Sequence, residues 1–231
     1  MIGTIVNTLC IVVGSVAGSF LKKSIKGYQD ALFSALGVCV ILLGANAFVH
    51  NLPDSSVPVL FIVSISVGTV VGYSLDLDGR FDRLVNRLKR NADGGANRLS
   101  EGLSTGILLY CIGTFSMLGP VFAALQGDNT YLYTNATLDL ITSMVLASTY
   151  GIGMIWAAPV LFCWQAMFYT IAKCSESAIG EPLVCELSIV GGVLIAASGL
   201  NILELKKMKT INMLPSLLVP PVYFLIRNIL V

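Results

Sequence analysis

Two carboxylates fall inside the long apolar runs of this 231-residue chain, Asp139 and Glu186. Four carboxamides share that setting: Asn7, Asn46, Gln165 and Asn201. An ionised side chain at bilayer depth costs about 2.5–3.5 kcal/mol on insertion scales, so it ordinarily faces a cavity or a partner. Carboxylate and amide oxygens are the ligands a hard cation prefers, and either acid could instead carry a proton. These six residues are the candidate substrate- or ion-binding groups. The plainer alternative puts both acids at the lipid headgroups, in water, and leaves Gln165 and Asn201 as interhelical hydrogen-bonders.

Residues of this kind need membrane helices to hold them, and the composition supplies the material. Hydrophobic residues make up 55% of the chain and charged residues 12%, against about 25% charged in a soluble domain. Apolar runs cover roughly 2–21, 30–49, 57–75, 102–125, 137–155, 157–173, 183–203 and 211–230. A helix of about 20 residues spans the hydrocarbon core of about 30 Å. The stretch 137–173 is too long for one ordinary span. Gly151, Gly153 and Pro159 fall where a turn would lie, which predicts two helices; one kinked helix with a re-entrant piece is the alternative. The expectation is an all-α polytopic membrane protein of eight spans, a single transmembrane domain over 1–231.

Charge placement sets the orientation. Lys22, Lys23 and Lys26 follow the first run and nothing basic precedes it, so that run reads as a membrane helix and not a cleavable signal. With the N-terminus outside, twelve of the 14 Lys and Arg fall on the inner side: the first three lysines, six residues from Arg80 to Arg98, and Lys206, Lys207 and Lys209. Only Lys173 and Arg227 fall outside, and both termini are expected there. Asp139 and Glu186 then lie just inside the outer ends of spans five and seven, at the depth of Asn7 and Asn46. Gln165 is mid-span and Asn201 near the inner end of span seven.

The polar connector 76–101 carries Phe81, Leu84, Val85 and Leu88 at helical spacing among Asp82, Arg83, Arg87 and Lys89. That pattern predicts an amphipathic helix on the inner leaflet, attracting anionic lipid; a plain solvated connector is the alternative. Gly37-Val38-x5-Gly44-x-Asn46 recurs as Gly192-Val193-x5-Gly199-x-Asn201, an offset of 155 residues. The same offset maps run one onto run six and run three onto run eight. Residues 1–75 and 157–231 thus read as two repeats around two central spans in 102–156, and the topology makes them inverted, a plan common among secondary transporters. Chance matching of glycines is the bland alternative. Gly14/Gly18 and Gly68/Gly72 are small-xxx-small pairs that let helices approach closely.

Other classes of chemistry find no support. The single histidine, His50, cannot build a zinc site alone, and the six cysteines have no metal-ligand spacing. Cys174 and Cys185 flank one outer loop and could be bridged or reduced. There is no Walker motif, dinucleotide fingerprint, nucleophile elbow or acid–base constellation. Neither an enzyme, a cofactor, a metal centre nor a nucleic-acid partner is expected. Helix breakers (Gly113, Gly119 and Pro120; Gly191 and Gly192; Pro215, Pro220 and Pro221) mark where helices break or pack closely.

Several separated motifs carry a resemblance. They are Gly3-Thr4-Ile5-Val6-Asn7, the Gly14/Gly18 pair, Asp139-x3-Ser143-Met144-x-Leu146-Ala147 leading into Gly151-Ile152-Gly153, Gln165, Glu186-Leu187-Ser188-x2-Gly191-Gly192, Gly199-Leu200 and Asn212-Met213-Leu214-Pro215. In this order, along nearly the whole chain, they resemble the bacterial multispanning family known as domain of unknown function 554. The resemblance implies a bacterial inner-membrane protein, sometimes labelled a transporter, and no settled activity.

The leading expectation is a small secondary transporter that moves a small solute or ion, with membrane lipids and a monovalent cation as partners. An oligomeric channel assembled through the small-residue faces is one alternative. A membrane scaffold or lipid-associated protein without transport is another.

Overall fold

The computed structural model describes residues 1–20, 28–80, 83, 106–107, 109–111, 114–175, 180–206 and 208–230. Every regular element among them is helical. The helices are α1 (Ile2–Phe20), α2 (Gln29–Asn51), α3 (Leu60–Ser74), α4 (Thr114–Leu125), α5 (Thr130–Tyr150), α6 (Ala157–Ser175), α7 (Glu181–Ile202), α8 (Thr210–Met213) and α9 (Val219–Leu230). Short 3-10 segments follow α2, α5 and α8. Among the described residues, five stretches are long and apolar enough to cross a membrane: Ile2–Phe20, Ala31–Asp54, Ile152–Cys174, Glu181–Ile202 and Thr210–Arg227. Most of the connector 76–101 lies outside the described residues; of its basic face, Arg83 is helical and exposed.

The helices are arranged inside out relative to a soluble protein. On α1, Ile2, Ile5, Leu9, Val13, Val16 and Phe20 form an exposed apolar stripe, and Phe20 is 81% exposed. Gly3, Thr4, Asn7, Gly14, Ser15 and Gly18 are buried on the other side. On α3, the buried residues Leu60, Ser64, Gly68 and Gly72 recur every fourth position, while Ile62, Val63, Val67, Val70 and Val71 are exposed. Apolar outside with small and polar inside suits a helix in lipid, where tails solvate Val and Leu and only close packing or hydrogen bonding draws helices together.

The chain forms two compact units, one of residues 1–35 and 82–174, the other of 36–81 and 175–231. In the first, α1 lies along α5 in the same direction. A Cβ added at Gly3 would meet Leu132, one at Gly14 would meet Leu140 and Ser143, and one at Gly18 the backbone of Met144. Its apolar core joins Ile11, Tyr110, Cys111, Ala157, Ala158 and Leu161. In the second, α2 and α7 cross antiparallel through glycines, and Gly68 and Gly72 of α3 abut Ser216 and Asn212.

Two runs start or end differently from the sequence pattern. Helix α5 begins at Thr130, seven residues ahead of the apolar run that starts at 137. Its polar first turns are satisfied internally: Thr134 Oγ1 donates to Thr130 O at 2.9 Å and Thr137 Oγ1 to Tyr133 O at 3.0 Å. It ends at Gly151, whose φ of 93° and ψ of 179° suit glycine almost alone. The stretch 137–173 is therefore two helices. The last run is divided in three, because Pro215 opens a 3-10 segment, Leu214–Leu218, before α9. Gly191 and Gly192, by contrast, lie within an unbroken α7, and Pro120 lies within α4.

Candidate functional site

The six sequence candidates divide between the two units. Asn7, Asp139 and Gln165 belong to the first; Asn46, Glu186 and Asn201 belong to the second.

In the first unit, the parallel packing of α1 on α5 brings Asn7 to Asp139. Because α5 starts at Thr130, Asp139 is not near the helix end, where the apolar run placed it, but in the third turn, and it is 5% exposed. One turn earlier on the same face, Asn135 donates its Nδ2 to Asp139 Oδ2 at 2.9 Å. Asn7 is fully buried and faces the Asp139 carboxylate from α1. Neither of its amide atoms closes an ordinary hydrogen bond. Thr4, one turn before Asn7 on the buried face, is equally enclosed, and its hydroxyl is also unpartnered. Cys10, Tyr110 and Cys111 lie within electrostatic reach of the carboxylate. Asp139 makes no ion pair among the described residues.

Buried polar atoms in folded proteins are nearly all paired, so the unpaired Asn7 amide beside a buried acid calls for an explanation. The chemistry is oxygen-rich, singly charged and enclosed. No group of three or more His, Cys, Asp or Glu occurs among the described residues.

Gln165 is fully buried on α6 and donates from Nε2 to Ser116 Oγ of α4 at 3.3 Å; its Oε1 has no partner. Ser116 lies four residues before Pro120, which has no N–H to offer the Ser116 carbonyl. Gln165 thus ties two helices at a weakened turn.

Glu186, 1% exposed, accepts from Ser55 Oγ at 2.6 Å and from the Val57 N–H at 3.2 Å through the same Oε1. It fixes the turn between α2 and α3. Beside it, the Cys185 thiol donates to Asn51 O at 3.2 Å. Asn201 clasps the loop after α7, accepting from the Met208 N–H at 2.6 Å and donating to Met208 O at 2.8 Å. Asn46 stands on the exposed side of α2. All six cysteines are unbridged, Cys174 and Cys185 included.

The sequence reading missed Thr4 and Asn135. Thr4-x2-Asn7 and Asn135-x3-Asp139 have the spacing of one helix face, which would have flagged both. Asn135 was hidden because it precedes the apolar run.

The chain is 53% identical over 223 residues to the uncharacterized membrane protein YdfK of Bacillus subtilis, covering 96% of this chain and 95% of that one. It is 24% identical over 229 residues to the uncharacterized protein YqgA of Escherichia coli, covering 94% of each. No solved structure matches it. The family model described as protein of unknown function (DUF554) matches residues 2–225. With inward-facing polar residues and apolar helices along the same length, the chain belongs to the DUF554 family.

Proposed function

We propose that this protein is a secondary transporter of eight spans, built from two inverted repeats, that moves a small solute or ion across a bacterial inner membrane. The observation that carries this reading is the crossing of α2 and α7. A Cβ at Gly44 would lie 2.6 Å from Gly192 O, and one at Gly192 would lie 2.7 Å from Gly44 O. A Cβ at Gly199 would lie 3.0 Å from Gly37 O. Gly37 and Gly44 are the repeat partners of Gly192 and Gly199. Each glycine therefore meets the repeat partner of its neighbour, the reciprocal pattern produced by a local two-fold axis. Such an axis in the membrane plane relates inverted repeats, which rock against one another in many carriers.

Two observations support the same reading. The members of each repeat-related pair share a compact unit, α1 with α6 in one, and α3 and α2 from Leu36 onward with α7 to α9 in the other. Helix directions also agree with eight alternating spans: spans one and five run together, while two and seven, and three and eight, run oppositely. A single span over 137–173 would reverse the expected sense of the α2–α7 pair.

The buried Asp139 gives this architecture a group able to follow a cation. Purified protein in proteoliposomes should show saturable, trans-stimulated uptake of at least one solute in a panel of radiolabelled small molecules and ions. Asp139→Asn should lose ion coupling. A steady, non-saturating conductance in planar bilayers would instead identify a channel, and no flux across the panel would leave the scaffold reading.

A further inference from the structure

We propose that Asp139 and Asn7 form a proton-binding site between α1 and α5: Asp139 takes up one proton, and Asn7 is the hydrogen-bond partner of the resulting acid. The site stands on its own geometry; its role as the coupling site of a carrier rests on the transport reading above.

The packing of α1 on α5 sets the pair. A Cβ at Gly3 would meet Leu132 and one at Gly14 would meet Leu140, so Asn7, between them on α1, falls opposite the turn that begins at Asn135. Side chains on a helix lean toward its N-terminus, which carries Asp139 back toward that turn and to Asn7. Asn135 donates to Asp139 Oδ2 at 2.9 Å and so orients the carboxylate. Asn7 is fully buried, and both of its amide atoms are unpartnered. An amide in that position serves either form of the acid. Its Nδ2 can donate to the carboxylate; turned over, its Oδ1 can accept from a carboxylic O–H.

Charge selects the occupant. Asp139 is buried, and the side chains brought to it, Asn7 and Asn135, are neutral amides. The titratable groups around it are Cys10 of α1, Tyr110 and Cys111, with Tyr131, Tyr133 and Tyr150 on α5 itself. Helix α4 and the 3-10 segment Ile152–Trp156 also pack on α5 and carry none. None of these groups supplies a positive charge, and the Met1 amine stands at the start of α1, nearly two turns before Asn7. A buried carboxylate that faces only amides is costly, and one proton removes its charge without asking for any further ligand. Uptake forms one O–H bond on the carboxylate and takes the proton from a hydronium ion; release returns it to water.

The test is infrared spectroscopy of the full-length protein in nanodiscs of ether-linked lipid, which has no ester carbonyl. At about pH 7 exposed carboxyl groups are ionised, so a carboxylic-acid C=O band that shifts in heavy water reports a buried acid. Asp139→Asn should remove that band, while Asp128→Asn, at the exposed turn before α5, should leave it. If Asp139→Asn does not fold, ¹³C-labelled aspartate in the parent should shift the band. Asn7→Leu should hold the proton to a pH about one unit higher, a roughly tenfold tighter grip, because a hydrogen bond to the charged form is stronger than one to the neutral form. An Asn7→Leu titration identical to the parent's would overturn the pairing with Asn7. An aspartate signal that is wholly ionised at about pH 7 would overturn the site. So would an acid band that sodium or potassium removes at fixed pH. In proteoliposomes, a pH gradient should drive accumulation in the parent, and Asp139→Asn should lose accumulation and keep counterflow. The band without any uptake would remove the transport reading and leave the site standing; gradient-driven accumulation that survives Asp139→Asn would overturn the coupling role.

Discussion

At Glu186, burial and ion chemistry part company. Its carboxylate is as enclosed as that of Asp139, but Ser55 and Val57 hold one of its oxygens from a neighbouring turn, whereas Asp139 accepts from Asn135 of its own helix. Glu186→Gln keeps an acceptor for both bonds, so differential scanning should find a Tm close to the parent's. Glu186→Ala leaves the Ser55 hydroxyl without its acceptor and the Val57 N–H with Ser55 Oγ alone, and should cost about 1–3 kcal/mol in a denaturant titration. Loss of uptake in Glu186→Gln at an unchanged Tm would instead make Glu186 a substrate or ion ligand. The sequence singled out both acids and could not separate them. What separates them is whether a turn from another segment reaches the carboxylate, a contact 131 residues away along the chain.

Element by element, the small-residue pattern was the most informative part of the sequence. Gly14/Gly18, Gly37/Gly44, Gly68/Gly72 and Gly192/Gly199 all lie at close helix crossings, because without a hydrophobic driving force in lipid only backbone proximity gives packing. Substituting Leu at Gly44 or Gly199 should therefore destabilise by about 1–3 kcal/mol through overpacking. Leu42→Ala, on the exposed side of the same α2 at 64% exposure, should change stability far less. Equal effects in a denaturation series would remove the crossing. The start of α5 was not legible. Its first two turns read as a polar loop, and they become helical because their threonines bond back to the preceding turn and their buried face is covered by α1.

For the molecule as a whole, the proposed inverted-repeat topology makes a prediction about sidedness. In a cysteine-free background, Asp54→Cys and Asp128→Cys should react with an impermeant maleimide added outside. Arg80→Cys and Lys206→Cys should react only after permeabilisation. Labelling of Asp54→Cys and Lys206→Cys from one side would break the eight-span plan. The sequence by itself determined that the chain is a bundle of apolar helices, where its basic loops fall, and which residues break the apolar pattern, since each depends only on local composition and spacing. Only the tertiary structure decided that Asn7 faces Asp139, that Asn201 closes a loop and that Asn46 stands exposed. Those outcomes depend on which helix faces meet, and side chains far apart in sequence come together only once the backbones have packed.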